Sequence, residues 1–116
     1  MSKRTFHNLA VAAALGLVSI AIAGPGLAAD VPAAAQLERG KVLFKSAAVP
    51  ACAICHTLQD AGTTGAIGPN LDELKPDMER VLKVLKSGLG AMPSYAATMS
   101  EDDMKAVAAY VMHATM

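Results

Sequence analysis

The sequence has no tryptophan, and only two tyrosines and two phenylalanines among 116 residues. So few aromatics remove the large side chains that usually dominate a small core. Cysteine is almost as scarce, with Cys52 and Cys55 alone, both in "ACAICH" (51–56). Two thiols at that separation close too short a loop to staple a fold, so no disulfide framework supports this chain. No stretch alternates apolar and polar residues as a half-buried strand would. Charge of one sign is also missing: lysine and arginine number ten, as do aspartate and glutamate. Without a clustered basic surface, a nucleic-acid partner is not expected.

What the chain does have begins at its N-terminus. Lys3 and Arg4 precede an uncharged apolar run from Leu9 to Ala23, and the small residues of "GPGLAAD" follow. That order (basic, apolar, small) is the layout of a secretory signal peptide spanning 1–29, with cleavage after Ala28 or Ala29. A retained anchor is the competing layout, since Leu9 to Ala29 is uncharged and ~20 apolar residues can span a bilayer. Gly24, Pro25 and Gly26 interrupt it where a spanning helix would continue. The expectation is therefore export to the periplasm with no stable membrane insertion. One domain of about 87 residues remains, 30–116, with eight basic residues against ten acidic. A domain this small needs help from a metal, a disulfide or a cofactor.

Three helical patterns lie in that domain, separated by long loops, and the fold class is all-α. The first runs from about Pro32, a residue suited to a first helical position, to Ser46. Ala33, Leu37, Gly40 and Phe44 recur on one face, and a mid-helix glycine suggests close approach of another element. The second runs from about Pro76 to Ser87, with Met78, Val81, Leu82 and Leu85 inward and Gly88 as its stop. The third runs from about Glu101 to Ala114, with Ser100 as N-cap and Asp103 near a capping box. Met104, Val107, Ala108, Val111 and Met112 form its inner face. The loops "TLQDAGTTGAIGPNL" and "GLGAMPSYAATM" are long for a compact domain, and long loops are usually functional.

Cys52, Cys55 and His56 admit three chemistries. A thioredoxin-like redox pair needs a βαβ setting, and no strands are visible. A structural zinc site needs four nitrogen or sulfur ligands. Beyond the motif the exported part has no further cysteine and one further histidine, His113, so the count cannot be completed. Attachment of haem uses all three residues at once, two thiols for thioether bonds and an imidazole for the iron. It also fits export, and a large flat cofactor supplies the core that the aromatics do not.

A second axial ligand has several candidates. Met78, Met104 and Met112 sit on apolar helix faces, where methionine is ordinarily core filler. Met99 and Met104 flank Ser100 as a hydrophobic staple. Met116 ends the chain, and His113 suits a surface position near a helix C-terminus. Met92 differs: Pro93 biases it to an extended conformation, and Gly88 and Gly90 let the backbone turn beside a flat cofactor.

In order along the chain, "RGKVLF" (39–44), "CAICH" (52–56), "GPNL" (68–71), "AMPSY" (91–95) and "AVAAYV" (106–111) resemble the class I c-type cytochromes. The likeness covers essentially all of 30–116. It implies a compact cytochrome c fold, three main helices and long loops wrapped around one covalently attached haem c. By that likeness Cys52 and Cys55 carry the haem, and His56 and Met92 are the axial iron ligands. It further implies that Pro69 accepts a hydrogen bond from His56, while Tyr95 either touches the methionine side or simply packs in the core. Gly40, Phe44 and Tyr110 would meet where the first and last helices cross.

The implied function is a periplasmic one-electron carrier, not an enzyme, working between a periplasmic dehydrogenase and a downstream oxidase or other acceptor. Two alternatives stay open. A weakly ligated iron would make a gas-binding sensor, although the gas-binding cytochromes c′ carry CxxCH near the C-terminus. The segment "CHTLQDAGTTGAIGPNLDELKPD" (55–77) is also similar to cytochromes that accompany periplasmic molybdenum sulfite dehydrogenases. Lys41, Lys45, Lys75, Lys83 and Lys86 are candidates for a docking patch, with a solvated helix face as the plainer account of most.

Overall fold

In the computed structural model, residues 32–116 are described, and the expected signal peptide (1–29) lies outside them. Helix α1 spans Ala34–Val42 and continues as a wider π-helical turn through Leu43–Ala47. Pro32 does not sit inside it, as the sequence suggested. Ala33 is the extended N-cap, and no side chain caps the first turn. Helix α2 (Leu71–Leu74) was not anticipated. Asn70 accepts the Asp72 backbone N–H at 3.0 Å, and Lys75 ends the turn in a left-handed conformation at φ 46°. Pro76 follows and prevents continuation.

Helix α3 (Met78–Ser87) starts two residues later than Pro76 suggested, because Asp77 is the true cap and accepts the Arg80 N–H at 2.7 Å. Val81 and Leu85 are buried on its inner face, and Gly88 stops it at φ 70°. Helix α4 (Glu101–Ala114) is capped by Ser100, whose hydroxyl accepts the Asp103 N–H at 3.1 Å. The reciprocal half of a capping box is not made. The Asp103 carboxylate instead grips Arg39 of α1 with two bonds of 2.9 and 3.0 Å. Met99 and Met104 are both buried beside the cap, as a staple requires.

Two-residue strands, β1 (Thr57–Leu58) and β2 (Thr63–Thr64), pair antiparallel. They are too short to show alternation, which is why the sequence carried no strand signal.

Helix α4 is the centre of the domain. Every residue from Ala106 to Val111 is buried, more than the single face its periodicity implied, and Met112 is only half-buried. The alanines at 106, 108 and 109 explain this, since they let neighbours approach on two sides. Helix α1 crosses on one side and α3 packs on another. At the crossing with α1, a β-carbon on Gly40 would run into the Ala106 carbonyl and the Tyr110 β-carbon. Phe44 meets Tyr110 edge to face, with ring centroids 6.0 Å apart. Gly40, Phe44 and Tyr110 thus meet as expected.

A further tie joins this crossing to the β1–β2 hairpin. The Tyr110 hydroxyl donates to Asp60 at 2.6 Å, and Lys41 reaches the same oxygen at 3.0 Å.

Gly40→Ala is expected to destabilise the domain by about 1–3 kcal/mol, because backbone cannot yield as a side chain can. A denaturant titration indistinguishable from wild type would contradict the close crossing. Acid sensitivity is a second consequence. The Tyr110 hydroxyl and Lys41 hold the Asp60 carboxyl below its usual range, and Arg39 does the same for Asp103. A lowered folded value stabilises above the unfolded carboxylate pKa of about 3.9 and is lost as pH falls through the folded value. Both pairs lie at the surface and are screened by solvent, so the effect is small. Asp60→Asn with Asp103→Asn is expected to flatten the stability profile below about pH 4, and an unchanged acid slope would contradict it.

Candidate functional site

Cys52–Ile54 forms a single tight helical turn. The backbone N–H groups of Cys55 and His56 both return to the Cys52 carbonyl, at 3.1 and 3.0 Å. That turn brings the two thiols and the imidazole onto one local surface. Cys52 is buried, Cys55 is half-buried, and they are not joined as a disulfide. Burial pushes the free Cys52 thiol up to about 11.

His56 is held from three directions. Its ring Nδ1 lies 2.9 Å from the Pro69 carbonyl oxygen. A carbonyl only accepts, so Nδ1 carries the proton and Nε2 keeps a free lone pair. The His56 carbonyl accepts the Thr63 hydroxyl at 2.9 Å, which ties it to the β2 strand. Gly68 lies flat against the ring, where a β-carbon would come within 2.5 Å of Cε1.

Met92 lies on the other long loop. Its N–H and carbonyl exchange two 3.0 Å hydrogen bonds with Leu89, closing a turn around Gly90 at φ 57°. The turn packs on Gly88, whose space a side chain would need. Tyr95 follows, 3% exposed, with its hydroxyl donating to the Pro50 carbonyl at 2.7 Å. Burial pushes that phenol up to about 12, so it stays protonated and remains a donor.

These residues border a cavity of about 260 Å³. Cys52, Cys55, His56, Pro69, Met92 and Tyr95 all line it, so every site residue expected from sequence borders one space. The rest of the lining is mainly apolar, including Phe44, Leu71, Val81, Leu85, Val107 and Val111. Among the described residues, His56 is the one histidine and Met92 the one methionine on this lining. Two thiols, an imidazole with a free lone pair and a thioether, all bordering one apolar space, fit a covalently held haem.

Several contributors were not anticipated. Gly65 lets the loop cross the Cys55–His56 peptide, where a β-carbon would meet backbone at 2.6 Å. Asp72 accepts the Gln59 N–H at 2.8 Å and ties α2 to the hairpin. Arg80 is the one lysine or arginine on the cavity wall. None of these has a local pattern that separates it from an ordinary loop or helix residue. The five lysines considered for docking do not line the cavity. Lys41 is bound to Asp60, and Lys86 to Glu101 at 2.7 Å.

A helical domain whose two long loops border one apolar cavity, with CxxCH on one and a methionine on the other, defines a small haem protein. The chain matches the family model for cytochrome C oxidase, cbb3-type, subunit III over residues 35–111. It is 32% identical over 79 residues to cytochrome c-551 of Halorhodospira halochloris, covering 63% of this chain and 94% of that protein. It is 33% identical over 87 residues to cytochrome c6 of Tetradesmus obliquus, covering 66% and 89%. Among solved structures it is similar to the c-type cytochrome SorU from Sinorhizobium meliloti. The TM-score there is 0.68 at 43% identity, over 70% of this chain and 92% of that one. The chain belongs to the small class I c-type cytochromes. It carries one covalently attached haem c and serves as a one-electron carrier.

Gly68→Ala is expected to destabilise by about 1–3 kcal/mol, because the ring must turn away from the Pro69 carbonyl to admit the methyl group. Unaltered stability in a denaturant titration would count against the packing of Gly68 on His56.

Proposed function

We propose that this cytochrome keeps both axial positions of its iron filled from its own chain, by His56 and Met92. Cys52 and Cys55 are the points of thioether attachment. The carrying observation is that one histidine and one methionine, from two different loops, border a single apolar cavity. The bound haem supplies a one-electron Fe(III)/Fe(II) couple whose potential rises with methionine ligation. The chain's contribution is positioning. Pro69 fixes the tautomer and orientation of His56, which also raises its basicity as a ligand. The Leu89–Met92 turn and Gly88 place the thioether. The apolar lining excludes water and lowers the local dielectric.

A chain that fills both axial positions leaves none for a substrate, so the protein is read as a carrier and not an enzyme. Its place is the periplasm, in keeping with the leader-like N-terminus. No helix among the described residues is long and apolar enough to cross a membrane. Its donor is read as a periplasmic dehydrogenase and its acceptor as an oxidase or another carrier. A dedicated role beside a molybdenum sulfite dehydrogenase is a narrower version, supported by the likeness of segment 55–77 to such cytochromes. Co-purification with a sulfite-oxidising enzyme from the native periplasm would test it. The pinned Met92 turn speaks against the weakly ligated, gas-binding alternative.

Met92→Ala is the test of the axial assignment. The variant is expected to keep its covalent haem, become high-spin, bind carbon monoxide and fall in reduction potential. An unchanged low-spin spectrum would overturn the assignment.

A further inference from the structure

Tyr95 lies three residues after Met92 and is nearly fully buried, yet its hydroxyl is not turned toward the methionine. It reaches the Pro50 carbonyl at 2.7 Å, two residues before Cys52. Its backbone N–H is fixed to the Leu85 carbonyl at the end of α3, also at 2.7 Å. Pro50, Cys52, Met92 and Tyr95 all border the cavity. One side chain therefore joins two loops that both border the cavity: the backbone end belongs to the methionine loop, the hydroxyl end to the cysteine loop. Inside the methionine loop itself, the turn is held by the two Leu89–Met92 bonds. Leu89 is 69% exposed, so little packing supports that turn from outside.

We propose that Tyr95 is a strap that limits how often the Met92 segment swings away from the cavity, and so sets access of outside ligands to the iron. It is a positioning residue acting through Met92, and the inference rests on the axial role of that methionine. With the strap intact, opening the Met92 side of the cavity requires the buried hydroxyl and the Pro50 carbonyl to part with no replacement partner. Without it, the segment is retained by its local turn, its bonds to the end of α3, the packing of Met92 on the core and that methionine's bond to the iron.

The test compares Tyr95→Phe with Tyr110→Phe in the ferric holoprotein. Each removes one hydroxyl and keeps its ring. Tyr110 bonds Asp60 at the helix crossing and does not line the cavity. Two quantities are measured: the rate of cyanide binding, and hydrogen exchange at the Leu89 and Met92 amides. The strap predicts that Tyr95→Phe binds cyanide about tenfold faster, the scale of one lost buried hydrogen bond. It also predicts faster exchange at both amides, while Tyr110→Phe leaves both quantities at wild-type values. Wild-type behaviour of Tyr95→Phe overturns the inference, and so does an equal increase in both variants. Wild-type protein that binds cyanide as fast as Met92→Ala would instead refute the axial role of Met92. Amide exchange would still decide whether the strap exists.

Discussion

The hydrogen bond between the His56 ring and the Pro69 carbonyl is the contact around which the functional half of this small domain is arranged. It does two things at once. It selects the tautomer that leaves Nε2 able to ligate, and it fixes the plane of the ring. Neither end of the bond would stay in place alone. The Pro69 carbonyl sits on a segment secured by α2 and by the Asp72–Gln59 bond, and His56 sits on a turn secured by Cys52 and Thr63. Gly68 permits the contact by carrying no side chain where the ring lies. A histidine held in this way keeps one ring orientation.

The remainder of the fold supplies rigidity that so few aromatics could not supply on their own. Only Phe44, Tyr95 and Tyr110 are available, and each has a structural assignment. Phe44 and Tyr110 interlock where α1 crosses α4, with Gly40 giving the closest approach. Tyr95 joins the two loops. Both tyrosines place their rings inside and their hydroxyls on a defined acceptor, Asp60 or the Pro50 carbonyl. Unpaired, each would leave a buried donor unsatisfied, at a cost of about 1–3 kcal/mol. The helices thus form one firm unit. The haem completes the core, because apolar side chains such as Val81, Leu85 and Val107 face the cavity as well as each other.

Much of this was legible along the chain because the chemistry is local. CxxCH declares its purpose within five residues, and "AMPSY" marks its methionine by the proline and glycines beside it. The three main helices showed through apolar spacing, and Ser100 and Gly88 marked real ends. The misplaced starts have a shared cause. Pro32 and Pro76 both suit a helix start, but a following residue was already the cap, Ala33 in one case and Asp77 in the other. The short α2 helix and the two-residue strands offer too few residues for any period. Asp60, Gly65, Gly68 and Asp72 act through contacts with distant or folded-back backbone, which no local pattern records. The direction of the Tyr95 hydroxyl belongs to the same class, since its acceptor is 45 residues away.

The claim that the chain itself fills both axial positions is tested most directly by an absorption spectrum. The protein would be matured in a periplasm and recorded oxidised and reduced, with and without carbon monoxide. The account predicts a low-spin spectrum in both states that does not change on addition of carbon monoxide. A high-spin spectrum, or one that shifts readily with the gas, would contradict it and bring the ligand-binding alternative forward.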